Sequence, residues 1–167
     1  MDTFIEHIVA RHPSAKDYLL RVLIVLGALV LIVVFIFFSS LFGLGTIGML
    51  LAVGVAYGAY YLFSSRRVEY EYIVTNGEID IDKITAKRKR KRLVTVSAKT
   101  FEAFGPYAED VKIDNGVTTI EATDNTGLNV YYATFRHPSL GNALLLFSPD
   151  ERVLSAVTPY LPRTIKH

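Results

Sequence analysis

The chain contains no cysteine and no tryptophan among its 167 residues. Without thiols it forms neither a disulfide nor a cysteine-ligated metal site, which suits a reducing compartment. A strong excess of charge is missing too. Eighteen Lys and Arg against 16 Asp and Glu leave a formal net charge of +2, so no global field marks a nucleic-acid binder. The most informative absence is local: no charged side chain occurs between Arg21 and Arg66.

That uncharged run of about 44 residues far exceeds the ~20 that cross a bilayer. As one straight helix it would extend about 66 Å at ~1.5 Å per residue, twice a ~30 Å hydrocarbon core. It must therefore turn back, and Ser39, Ser40, Gly43 and Gly45 cluster where it would do so. The reading is a transmembrane helical hairpin over residues 14–65, with spans at about 18–38 and 46–63. A cleaved signal peptide fits poorly, because its apolar core would be shorter and no second apolar segment would follow at once. Ser14 with Asp17 three residues on reads as an N-cap for the first span. Arg11, Lys16 and Arg21 precede the spans and Arg66 and Arg67 follow them, whereas the connecting loop has no cation. Basic flanks stay inside, so the expectation is a multi-pass protein of the inner (cytoplasmic) membrane with both termini cytoplasmic.

The second span carries small residues four apart: Gly48, Ala52 and Ala56, and separately Gly54 and Gly58. Such stripes let helix backbones approach closely in a bilayer. Packing between the chain's own spans is the simplest use; a homodimer or another membrane protein packed through Gly54 and Gly58 is the alternative. Ahead of the spans, residues 1–13 place Phe4, Ile5, Ile8 and Val9 at helical spacing, which predicts a short amphipathic helix at the membrane interface or else a frayed terminus.

After Arg67 the period changes to two. "VEYEYIVT" sets Glu69 and Glu71 on one face and Val68, Tyr70 and Tyr72 on the other; Asn76-Gly77 is a hairpin turn; "EIDIDKI" alternates again. "LVTVS", a second hairpin in "VKID-NG-VTTIEAT", "LNVYYATF" and "NALLLF" continue the pattern, with "FEAFGPY" as an irregular link. Ser148, Pro149 and Glu151 form a capping-box signature for a closing helix over 149–161. Residues 66–167 are thus expected to form a cytoplasmic antiparallel β domain, a meander closed by one C-terminal helix, within an α+β membrane protein.

Two spans followed by "EYEYIVTNGEIDIDKITAKRKRKR" and a closing helix, with "MDTFIE" at the start, resemble a bacterial family of small two-span membrane proteins with a C-terminal PH-like domain. The resemblance covers nearly the whole chain and implies a PH-like barrel or sandwich whose helix plugs one end. That family brings no established activity, and no lipid-binding motif of eukaryotic PH domains has a counterpart here.

The residues offer no catalytic pattern. His7, His12, His137 and His167 lack metal-ligand spacing, and Asp80 and Asp82 share the polar face of a strand. "TDNTGLN" lacks the glutamate that closes a calcium loop, and the glycines of "GLGTIG" lie between membrane spans. The expectation is a non-catalytic protein without cofactor, metal or small-molecule substrate.

What stands out is the basic run. Lys83, Lys87, Arg88, Lys89, Arg90, Lys91 and Arg92 sit on one predicted hairpin. An out-and-back pair of strands from the membrane exit returns its tip toward the bilayer, where each cation near anionic head groups contributes ~1 kcal/mol. Glu78, Asp80 and Asp82 on the adjoining strand offer the competing reading, a self-neutralised ribbon in solvent. An acidic protein partner is a third. Nucleic acid fits least, because no aromatic residue for base stacking lies between Thr85 and Thr100. The leading expectation is a membrane-anchored adaptor or scaffold whose basic hairpin faces anionic lipid. The runner-up is an accessory subunit of a membrane transport or secretion complex, packed through its small-residue faces.

Overall fold

The structure is a computed structural model that describes residues 4–108 and 116–165. It divides into a helical unit, Pro13–Arg67, and a β unit built from the segments on either side of it.

In the helical unit, α1 (Ala15–Leu41) and α2 (Gly45–Ser64) pack against each other. Ser14 opens α1 as the sequence predicts. Its hydroxyl accepts from the Asp17 N–H at 3.3 Å and the Asp17 carboxylate accepts from the Ser14 N–H at 3.0 Å, a reciprocal box. Gly43 takes a φ of +70° in the turn between the helices. Both helices are long and apolar enough to cross a membrane, with mean hydropathies of 3.3 and 1.6. They extend about a turn beyond the expected 18–38 and by a residue or two beyond 46–63.

Among the described residues the β unit contains two four-stranded sheets. The first has the order β1 (Phe4–Ala10), β2 (Val68–Thr75), β3 (Glu78–Thr85) and β4 (Lys89–Ser97), all antiparallel. The second has the order β5 (Phe101–Pro106), β7 (Tyr131–His137), β8 (Gly141–Phe147) and β6 (Thr118–Ala122). A short helix, α3 (Glu151–Val157), and a 3-10 turn, Thr158–Tyr160, follow.

Several expectations need correction. Residues 4–10 form a strand, not an amphipathic helix. Phe4, Ile5, Ile8 and Val9 satisfy either period when two adjacent pairs are all there is to judge by. What decides is β2, a partner remote in sequence: Ile5, His7 and Val9 line the inner face while Phe4, Glu6 and Ile8 turn outward. The β domain therefore does not begin at residue 66, and the helical hairpin is an insertion between its first two strands. "FEAFGPY" holds a strand rather than a link, with Pro106 as the last residue of edge strand β5. The second sheet is no meander, since β6 runs parallel to β8. The first arm of the expected "VKID-NG" hairpin lies outside the described residues. Among the described residues no strand is shared between the two sheets, so the architecture is a two-sheet sandwich and not a closed barrel.

The closing helix is shorter than 149–161, and Asp150, not Ser148, caps it by accepting from the Val153 N–H at 2.8 Å. Ser148 is engaged elsewhere. Its N–H donates to the Tyr72 hydroxyl at 3.1 Å and its own hydroxyl donates to Asp124 at 3.2 Å. Tyr72, fully buried, donates in turn to the Ala122 carbonyl, tying the two sheets together. Around it Val74, Ile79, Ile81, Phe135, Leu145 and Phe147 form the core, sealed by Val153 and Val157 of α3.

Candidate functional site

The basic run occupies the turn after β3 and the first half of β4, and alternation divides it between two faces. The division depends on a bulge. Up to Ile81 the pairing is regular, Ile81 facing Val94; beyond it one residue is skipped and Asp82 faces Arg92, Lys83 faces Lys91, and Ile84 faces Arg90. Without the shift Asp82 would face Leu93, and Lys91 would join the acidic residues. The bulge instead sends both arginines to the acidic face and Lys89 and Lys91 to the other.

On the acidic, outer face Arg92 bonds Asp82 through Nε and lies 2.6 Å from Asp80 through Nη1. The bond to Asp82 is the main reason its proton is held more tightly than in a free guanidinium. Arg90 donates to Glu71 of β2 at 2.8 Å and approaches Asp82 at 3.9 Å. Lys87 in the turn stands 3.8 Å from Glu69. The sequence anticipates arginines pairing with Asp80 and Asp82; it does not single out Glu69 and Glu71, whose signal was their shared face in "VEYEY". Glu71 is only 1% exposed. Burial, and next a side-chain contact from Glu6 of β1, push its pKa up against the pull of Arg90.

On the opposite face the residues are Lys83, Lys89 and Lys91, which have no ion pair among the described residues. This is the face of the sheet that carries the core, at its margin, where Lys83 pairs with Tyr70. Burial raises the Tyr70 pKa above its ordinary value. Lys83 and Lys91 stand directly opposite each other, an arrangement that disfavours the pairing unless an anion lies between. The turn itself is strained, with Ala86 and Lys87 both at φ of +55°.

Register also locates this end of the sheet. Val68, the first strand residue after the helical unit, pairs with Thr85 at the base of the basic turn. Ala10 pairs with Glu69 beside it. Both connections to the helices leave from the end of the sheet that bears the lysines.

The small-residue positions separate as well. Gly48 is buried against α1, where a Cβ would overlap Ser39 and come within 2.9 Å of the Phe35 carbonyl. Ala52 is half-buried, whereas Gly54 and Ala56 are exposed; neither Gly54 nor half-buried Gly58 has anything within 4 Å of a built Cβ.

A concavity of about 490 Å³ lies along β1 and the start of α3. His7 Nδ1 stands 3.4 Å from Asp150, and Asp124 holds Ser148 and Thr126. Among the described residues no three His, Cys, Asp or Glu side chains are arranged to hold a metal. His137 ends β7 and contacts Ser139; His167 lies outside the described residues.

A two-sheet domain closed by a short helix, with two membrane-length helices inserted after its first strand, defines the class. The chain belongs to the bacterial PH-like domain family (DUF6106), whose model matches residues 1–167. No curated protein and no solved structure matches it.

Proposed function

We propose that this is a non-catalytic, two-span protein of the inner membrane that presents its PH-like domain in the cytoplasm as an adaptor or scaffold, oriented by lysines on anionic head groups. The observation that carries this reading is the sorting of the basic run. Arg90 and Arg92 are neutralised, whereas Lys83, Lys89 and Lys91 share one face, with two of them opposed, at the end of the sheet where the chain joins the helices. Head-group phosphates between Lys83 and Lys91 would turn a repulsive pair into an attractive one. The paired strands β1 and β2 flank the helices, so two spans must return to the side they left. Basic flanks at Arg11, Lys16, Arg66 and Arg67 make that side the cytoplasm.

Lysine acetylation of the full chain in nanodiscs tests it. Lys83, Lys89 and Lys91 should react several-fold more slowly in anionic than in zwitterionic lipid, the difference should vanish at high salt, and exposed Lys99 should serve as an unchanged control. Equal rates in both lipids at all three lysines would remove the proposal.

A second reading, an accessory subunit packed within a larger membrane complex, draws on Gly54 and Ala56, which face away from α1. Leucine at Gly54 should then abolish recovery of a partner in mild detergent without disturbing the α1–α2 contact at Gly48.

A further inference from the structure

Strand β1 is held to the domain by consecutive side chains on its two faces, and both contacts gain from a proton. On the outer face Glu6 contacts Glu71 of β2. The Oε2 atom of Glu71 is buried and receives no hydrogen bond, while Oε1 takes the Arg90 guanidinium at 2.8 Å. Two ionised carboxylates present only lone pairs to each other; one proton between them supplies the missing donor. The charged groups around Glu71 are Glu6 on β1, Glu69 on β2, Asp80 and Asp82 on β3, and Arg90 and Arg92 on β4. Arg92 is committed to Asp80 and Asp82, and Lys87 approaches Glu69. With Lys87 counted, these five carboxylates face three cations, an excess of two negative charges around the buried Glu71.

On the inner face the next residue, His7, places Nδ1 3.4 Å from Asp150. The attraction is ionic only when the imidazole is protonated. Burial works against ionisation of Asp150, but the Val153 N–H, Arg152 and His7 outweigh it and hold its pKa below the usual carboxylate value. The acceptor at the α3 cap is therefore held in its charged form.

We propose that β1 is a proton-operated latch: protons on the Glu6–Glu71 pair and on His7 fasten the strand to β2 and α3, and their loss loosens it. The segment runs through His12 and Pro13 directly into α1, so the state of the latch is set at the root of the first helix. The sign follows from linkage. A carboxyl whose pKa is raised by folding favours the folded arrangement at pH below that raised value, and the advantage is lost as pH rises through it.

Hydrogen exchange of the full chain in nanodiscs, from about pH 5 to about pH 8 and corrected for intrinsic exchange rates, tests the latch. Protection of residues 5–10 relative to 79–84 of β3 should fall several-fold with rising pH. Glu6→Gln, which keeps a donor for Glu71 without titrating, combined with His7→Asn should flatten the slope. A flat wild-type ratio, or a slope that survives in a folded double variant, would overturn the proposal. If the double variant does not fold, the infrared carbonyl band of a protonated carboxyl decides. A band that titrates with β1 exchange in the wild type supports the latch, and its absence across the range refutes it.

Discussion

Arg90 on β4 reaches past β3 to Glu71 on β2, placing Nη2 2.8 Å from Oε1 and linking strands that share no backbone hydrogen bond. The pair is unequal, because the arginine side chain is 55% exposed and the glutamate 1%. Removing the cation leaves the buried carboxylate facing Glu6 and Asp82. Arg90→Met is expected to cost about 1–3 kcal/mol in urea unfolding at about pH 7. The cost should shrink as pH falls, because burial raises the Glu71 pKa and a proton removes the uncompensated charge. Lys89→Gln, on the other face of the same strand, should stay within about 0.5 kcal/mol.

Gly77 is required twice over. Its φ of +82° completes the β2–β3 turn, and a Cβ there would overlap the Tyr160 ring. Gly77→Ala should lower stability by about 1–2 kcal/mol from the backbone alone, with more from the ring. In a Tyr160→Ala background the penalty should fall to the backbone part, a coupling that thermal denaturation of both single variants and the double variant would reveal.

The basic turn should respond in the opposite sense. Ala86 takes a φ of +55°, a conformation that costs a residue with a Cβ roughly 1–2 kcal/mol. Ala86→Gly relieves that strain but loosens the unfolded chain. The net expectation is a gain of up to about 1 kcal/mol in urea unfolding. A loss of stability would show that the turn is held by contacts of the Ala86 methyl.

Because β1 belongs to the sheet, a fragment of residues 66–167 exposes the whole edge of β2, an aggregation-prone surface. Joining residues 1–12 to residue 68 through a short linker should restore a monomeric fold, since the Arg11 N–H already donates to the Val68 carbonyl at 3.0 Å. Size-exclusion chromatography of the two polypeptides side by side checks this. A monodisperse 66–167 fragment would show that β1 is dispensable.

These features differ in how far the residues announce them. Asn76-Gly77, the alternation around it and the Ser14–Asp17 box each depend on a few neighbouring residues, and each takes its expected form; the uncharged run folds into two apolar helices of membrane length. Strand β1 and the parallel pairing of β6 depend on partners far along the chain, which no local period encodes. The cap at Asp150 was hidden for a related reason: Ser148 has the better local context, but Tyr72 and Asp124 draw it into the core. The bulge at Ile81/Asp82 is the costliest omission, because it alone determines which cations of "KRKRKR" meet acid and which do not.

The insertion of the helices between β1 and β2 also orders events in synthesis. The first strand leaves the ribosome early, yet the edge it pairs with emerges only after both helices have been made. Until then Ile5 and Val9 wait without the core they face, and the pairing of Ala10 with Glu69 can form only once α1 and α2 have brought the chain back. Completion of the sheet thus reports that the hairpin has closed on itself. A chain whose second helix fails to return would carry an unfinished domain, visible to quality control as an open edge.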